Sequence, residues 1–380
     1  MSLHKSRPKT KAKGSKSKSS ASAKSRPVAP MESLNEAFFL REAAPRDLKA
    51  LHELSRHLNS VNLPEDRAVL KKLIQKSTAS FAGRIEDPFH REYLFVLEGA
   101  ESGRIAGTSM LIAQHGHHDA PHIYFDVLRD ERYSGTLDRH FSHPCLRLGF
   151  LYKGPTEIGG LVLDPELRSL GLGKQLSFVR FLFIAMYRRR FRPWVIAELM
   201  PPLLEDGRSE LWEYLGRNFT GLDYQEADKL SQRNKEFITS LFPQTPLYVT
   251  LLPKHVQALI GQVGDETKGV RRMLENIGFE YSERIDPFDG GPHFEAQCED
   301  ISLIQNAKLC MVARDILKDE AAPEEERVRA MVGVGQPEGP VGFRARMDSV
   351  QFDGANIRVT QTTKKLLKLS AGQTVWAVTV

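Results

Sequence analysis

Gly160-Leu-Val-Leu-Asp-Pro-Glu-Leu-Arg-Ser-Leu-Gly-Leu-Gly-Lys-Gln-Leu176 is the stretch whose reading decides the fold. Thr156 to Leu163 reads as a strand, Asp164-Pro165 turns the chain, and Arg168-x-x-Gly171-x-Gly173 opens a long helix from about Gly171. The glycines let backbone N–H groups approach an anion, and the helix N-terminus adds partial positive charge. Arg168 and Lys174 bring formal charge to the same place. A spaced glycine pair alone is an ordinary strand-to-helix turn. With the strand, the Asp-Pro turn, the arginine and the amphipathic helix in this order, the pattern predicts a pyrophosphate cradle.

Upstream, Ala37 to Arg41 reads as a strand and Pro45 to His57 as a helix, with Leu48, Leu51 and Leu54 at helical spacing. A second helix is expected from Glu65 to about Ser77, then a β-hairpin of Tyr93 to Glu98 and Ile105 to Ala113. A polar, His-rich loop is expected to join that hairpin to the strand at Thr156. Downstream come a strand at Val195 to Leu199 and a helix at Ser209 to Asn218. The order β-α-α-β-β-β-α-β-α predicts an α/β domain: a mixed sheet flanked by helices, over residues 36–300. Residues 301–341 read as a helix and a Glu-, Pro- and Gly-rich linker, and 342–380 as a small β-rich C-terminal subdomain. A strand-rich addition of that kind suits an oligomer interface.

The 53 Lys and Arg against 48 Asp and Glu give a formal charge of +5, yet residues 1–30 hold seven Lys, two Arg and no acid. The remainder carries 44 basic against 48 acidic residues, a charge of −4. A globally basic nucleic-acid-binding domain is thereby excluded. Residues 1–35 cannot bury enough apolar surface to offset their ordering entropy and are expected to be a disordered, solubilising tail. Contact of that tail with a nucleic acid is the lesser alternative. Cys145, Cys298 and Cys310 form no paired spacing, the longest apolar stretch is too short to span a bilayer, and the N-terminus lacks an apolar leader core. A cytoplasmic protein without membrane contact is expected.

Val162 to Leu176 resembles the acyl-CoA-binding motif of the GNAT acyltransferase superfamily. The resemblance implies main-chain contacts to the pantetheine arm from Leu161, Val162 and Leu163, and a pyrophosphate cradle of Arg168, Ser169, Gly171, Leu172, Gly173 and Lys174. A more specific likeness is to the arginine N-succinyltransferase family, carried by Leu161-Val-Leu-Asp-Pro, Ala197-Glu198, Leu215-Gly216, Leu259-Ile-Gly-Gln-Val263, Leu274-Glu-Asn-Ile-Gly-Phe279, Phe288-Asp-Gly-Gly-Pro292 and Ala371 to Val378. It spans roughly residues 36–380. It implies transfer of succinyl from succinyl-CoA, a co-substrate rather than a permanently bound cofactor, to the α-amine of arginine. The family's proton-donor histidine follows Ile-Gly-Gln-Val; this chain has Gly264 there, followed by Asp265. The alternatives are a different amine or acyl group, or a non-catalytic CoA-binding protein.

Acyl transfer from a thioester to an amine needs a neutral amine, a polarised carbonyl and a proton for the departing thiolate. Glu198, ending Val-Ile-Ala-Glu, is the candidate for taking the amine proton, against the plain reading of a charged strand end. Asp265 is the candidate substitute for the missing histidine, and Tyr248, with Tyr214, for protonating the thiolate. An arginine guanidinium calls for a bidentate carboxylate, which Asp289 or Glu198 could supply, though Asp before Gly-Gly also forms turns. His115-Gly-His-His-Asp-Ala-Pro-His122 lacks helical i, i+4 spacing and is read as a loop lining the acceptor entrance, with no metal.

Overall fold

The computed structural model describes residues 36–56, 63–118, 120–231, 234–317, 327–335 and 342–380. The expected tail at 1–35 therefore lies outside the described residues. The first strand is β1 (Phe38–Glu42), followed by α1 (Leu48–Ser55) and α2 (Arg67–Phe81), the latter capped by Asp66, whose carboxylate accepts from the Ala68 and Val69 amides. The hairpin β2 (Glu92–Gly99) and β3 (Ile105–Ile112) comes next. Period-2 alternation divides its side chains between two cores. Leu94, Val96 and Met110 meet Leu51, Leu70 and Ile74 of the α1–α2 layer. Tyr93, Phe95, Leu97 and Leu111 face the opposite layer.

That opposite layer is α3 (Leu172–Met186), which follows β6 (Thr156–Leu163) through the Asp-Pro turn. Leu176, Val179, Phe183 and Ile184 of α3 are fully buried against the sheet. Between β3 and β6 the structure replaces the expected loop with a long hairpin, β4 (His122–Ser134) and β5 (Arg139–Leu151), paired residue for residue. Only its base is buried. Ile123, Phe125, Leu146 and Leu148 are buried, whereas Glu131 to Tyr133 and Arg139 to Ser142 lie in solvent on both faces, which removes the pattern that marks a strand.

The sheet continues through β7 (Trp194–Glu198), β8 (Leu247–Tyr248), β9 (Glu280–Ile285) and β10 (Pro292–Gln297). A helical block over 209–260 covers the β4–β5–β9 end, with Trp212 stacked on Phe288 at its centre. The expected helix there begins as a wide π-turn, Trp212–Gly216, running on into α4 (Arg217–Thr220). Gly216 is required by close approach, because an added Cβ would stand 2.3 Å from the Trp212 ring.

Residues 301–341 are not simply helix and linker. They carry a one-turn helix at Ser302–Gln305 and the strands β11 (Lys308–Val312) and β12 (Val328–Val334). These pair with β13 (Arg344–Asp353), β14 (Asn356–Arg358) and β15 (Thr374–Thr379) in a ring, β12–β15–β11–β14–β13 and back to β12, around Val332, Val350, Ile357, Leu367 and Ala377. The ring joins the main sheet where Leu40 and Arg41 of β1 face Ala345 and Arg344 of β13. Glu36–Val380 forms one compact unit. No helix among the described residues is long and apolar enough to cross a membrane.

Candidate active site

The site begins where two strands part. β6 and β7 run parallel but pair only through Thr156 with Val195 and Glu157 with Ile196. Beyond those residues β7 pairs with β10 on its far side, Glu198 opposite His293, while β6 keeps only β3. The edge of β6 from Ile158 to Leu163 that faces β7 is thus unpaired, and its backbone groups are open to a ligand. On the β3 side Thr108 faces Val162 and Met110 faces Gly159, so Gly160 and Leu161 bulge opposite Ser109, with Gly160 at φ +54°.

At the mouth of this gap Gly171 caps α3 in the left-handed region, φ +71°, and the space where its Cβ would stand is open. Asp164 caps the short 3-10 turn before it, accepting from the Glu166 amide, and Arg104 ties Asp164 and Glu166 together. Arg168 lies exposed on that turn, and Lys174 stands 5.1 Å over the Phe178 ring. Leu161 and Leu163 are half-buried along the gap, whereas Val162 is turned into the α1–α2 core. The backbone of 168–174 therefore forms a positively framed, glycine-lined mouth one strand length from the divergence.

Glu198 stands at the inner end. Its side chain retains 29% exposure and lies 3.6 Å from His122 Nδ1 and 3.7 Å from His293 Nε2. Burial first, then the neighbouring charges of Glu157, Asp286 and Asp289, raises its pKa well above the ordinary glutamate value. Asp289 is raised well above normal by burial and by Asp286, although its Oδ1 accepts from the Gly291 amide at 2.7 Å. Burial also raises Asp286, against the pull of Lys235 and of the Phe288 and Asp289 amides. The Phe-Asp-Gly-Gly-Pro turn depends on its glycines: Gly290 has φ +80°, and a Cβ on Gly291 would stand 2.5 Å from Leu199 O.

The imidazoles are held neutral. Burial pushes His293 down to about 3 and takes His122 well below the usual range, with His115 next among the causes for each. Both His293 ring nitrogens are buried without a hydrogen-bond partner. His115 pairs with the buried Glu157, and its ring packs edge-on against His122 at 4.4 Å. One ligand atom each from His115, His122 and Glu198 lies within 4.8 Å of the others, so these three could hold a divalent ion. The His-rich stretch thus contributes two side chains directly to the site rather than lining an entrance.

Three sequence candidates are placed elsewhere. Asp265 is 91% exposed and pairs with Lys268 at 2.5 Å. Gly264 bonds back to Met200 O, and an added Cβ there would meet Pro201 O at 2.8 Å. Tyr248 lies on the outer strand β8 opposite Cys145, its hydroxyl bonded to Asp130. Cys145 is six residues along β5 from Leu151, the partner of His122, or about 20 Å. Tyr214 is exposed beside His255. The structure brings Glu198 and Asp289 together, sets His122 of the His-rich stretch beside them, and adds Glu157, His293 and Asp286, which sequence reasoning missed. Glu157 carried a readable signal, a lone acid inside the apolar run 156–163; His293 carried none, because its neighbour Glu198 is reached only across the sheet.

A family model described as arginine N-succinyltransferase beta subunit matches residues 38–303. The chain is 33% identical to the arginine N-succinyltransferase of Yersinia pestis, over 90% of this chain and 97% of that protein. It is 31% identical to that of Citrobacter koseri, over 88% and 96%. Among solved structures it is similar to the arginine/ornithine succinyltransferase subunit AI of Pseudomonas aeruginosa, with TM-score 0.77 and 27% identity over 91% of this chain and 99% of that one.

Proposed function

Since the chain belongs to the arginine N-succinyltransferase family, we propose that its parted strands hold succinyl-CoA while Glu198 prepares the α-amine of arginine for attack. The protein is an N-acyltransferase with a GNAT-like fold that transfers succinyl to arginine. The observation that carries the mechanism is Glu198 at the open end of β7, its proton affinity raised among Glu157, Asp286 and Asp289.

The pyrophosphate sits on the amides of 168–174, where the α3 N-terminus and Lys174 oppose its charge. The pantetheine arm follows the unpaired edge of β6, and the Leu161 to Leu163 backbone polarises the thioester carbonyl. An arginine brings two positive charges, and the wall of Glu198, Asp286 and Asp289 is matched to a cation. Asp289 takes the guanidinium, which stabilises the ionised form of the neighbouring acids as it binds. A carboxylate with a raised pKa is a better base for an ammonium than an exposed one, and the neutral His122 and His293 add no charge that would lower it. Of the two protons that the ammonium gives up, one leaves through Glu198 to solvent. The other neutralises the departing thiolate.

Thiol release from succinyl-CoA tests this reading against a panel of amines. Arginine-dependent release, abolished by acylation of the α-amine beforehand, is expected. CoA binding without release for any amine refutes it.

A further inference from the structure

Arg180 is the buried charge that the mechanism above leaves unused. It sits in the middle of α3 with 2% of its surface exposed, and among the described residues no carboxylate pairs with it. Its guanidinium has only neutral partners: Nε donates to Ser177 O at 3.0 Å, Nη2 to Ser177 Oγ at 2.7 Å, and Nη1 to Gly159 O at 3.5 Å. A buried cation without a counterion is costly, and a protein that keeps one gains when an anion arrives. Burial alone lowers the guanidinium to about 9.

Its position is fixed by register. Leu176 closes on Gly107, where an added Cβ would stand 2.6 Å from the leucine Cδ1. Because α3 returns antiparallel to β6, it runs parallel to β3. Arg180, one helical turn or about 6 Å further on, therefore comes over Ser109, two strand residues or about 7 Å further on. Ser109 is the residue opposite the Gly160–Leu161 bulge, and its hydroxyl is buried with no hydrogen-bond partner. A guanidinium held by neutral groups, one of them Gly159 O of β6, and an orphaned hydroxyl on β3 thus lie at neighbouring register positions on the α3 side of the sheet. The cradle-side end of the unpaired β6 edge, Leu163, is four residues from Gly159, about 13 Å, the span of an extended arm between pyrophosphate and acyl group.

The geometry points to Arg180, with Ser109, as the subsite that binds the free carboxylate of the transferred acyl group, making a dicarboxylic acid monothioester the preferred donor. The inference rests on the reading of succinyl-CoA as donor, and it assigns the recognition of the acyl tail rather than any step of the transfer. A guanidinium presents a planar fork to a carboxylate, and Nη1, whose contact with Gly159 O is long, is the nitrogen freest to turn toward it.

The test compares succinyl-CoA with butyryl-CoA, which has the same chain length and no carboxylate, in the wild type, Arg180→Met and Ser109→Ala. For R180M a loss of about 10²–10³-fold in kcat/KM is expected with succinyl-CoA. Butyryl-CoA turnover should stay within threefold, and inhibition by free CoA should be unchanged. R180M should also melt no lower than the wild type without ligand, and succinyl-CoA should raise its Tm no more than CoA does. S109A should show a smaller loss confined to the same donor. An unchanged succinyl-to-butyryl ratio in R180M overturns the assignment, and so does an equal loss of both donors with CoA inhibition intact. If the donor reading itself is wrong, the wild type shows it alone, by using butyryl-CoA as well as succinyl-CoA.

Discussion

Replacing Glu198 by glutamine separates its chemical role from its structural cost. The amide keeps the shape of the side chain and its reach toward His122 and His293, 3.6 and 3.7 Å away, but cannot take a proton. A positioned general base is worth about 10²–10⁴-fold, so E198Q should lower kcat by that factor at pH 7.5. Stability should move the other way. The folded-state pKa of Glu198 is raised, by burial first and then by Glu157, Asp286 and Asp289, so its ionisation costs the native state stability. Below the unfolded pKa of about 4.3 both forms are protonated and the cost is absent. It grows as pH rises from the unfolded pKa toward the raised folded one and is complete above the latter. E198Q should therefore match the wild type in urea unfolding at pH 4 and exceed it at pH 8. The gain is moderated by the 29% exposure of the side chain, which lets solvent screen part of the charge. A variant that retains kcat within threefold, or one whose stability difference is the same at both pH values, would refute the assignment.

The cradle is tested by Gly171→Asp, which puts a side chain at φ +71° and a negative charge where the pyrophosphate is held; CoA affinity in calorimetry should fall by at least tenfold, with little change in fold. Asp265→Asn and Tyr248→Phe should leave kcat and KM within twofold, since one side chain is in solvent and the other lies on the outer strand; a tenfold loss in either would return it to the chemistry. Gly216→Ala drives a methyl into the Trp212 indole and should cost about 1–3 kcal/mol in urea unfolding. Asp289→Asn should raise KM for arginine at least tenfold and leave KM for the acyl donor unchanged, by steady-state kinetics.

What could be read from the chain and what could not divide along one physical line. The strand–turn–helix from Thr156 to Met186 is specified by neighbours: Pro165, the Asp164 cap and Gly171 each act within a few residues, and the helix opens within one residue of its expected start. The β4–β5 hairpin is set by cross-strand pairing, and toward its turn, at 131–133 and 139–142, its side chains meet water on both faces, so no period-2 signal exists there to be read. The site has the same character. Glu198 and Asp289 were legible because each ends or interrupts a patterned segment. His293 meets His122 only when β4, β10 and β7 are laid in one sheet, and a lone histidine in a strand carries no mark of that. Adjacency in sequence misled for the opposite reason. Asp265 follows the expected histidine position directly, but the Gly264 amide is tied to Met200 O, and the next side chain is turned out to Lys268. A histidine at 264 would force its Cβ to 2.8 Å from Pro201 O, so this backbone is fitted to glycine. Of the imidazoles around Glu198, His115 is paired with Glu157, and His122 and His293 are held neutral by burial. On the proposed mechanism the proton for the thiolate is then drawn from the amine itself, and the raised proton affinity of Glu198 governs the deprotonation that precedes attack.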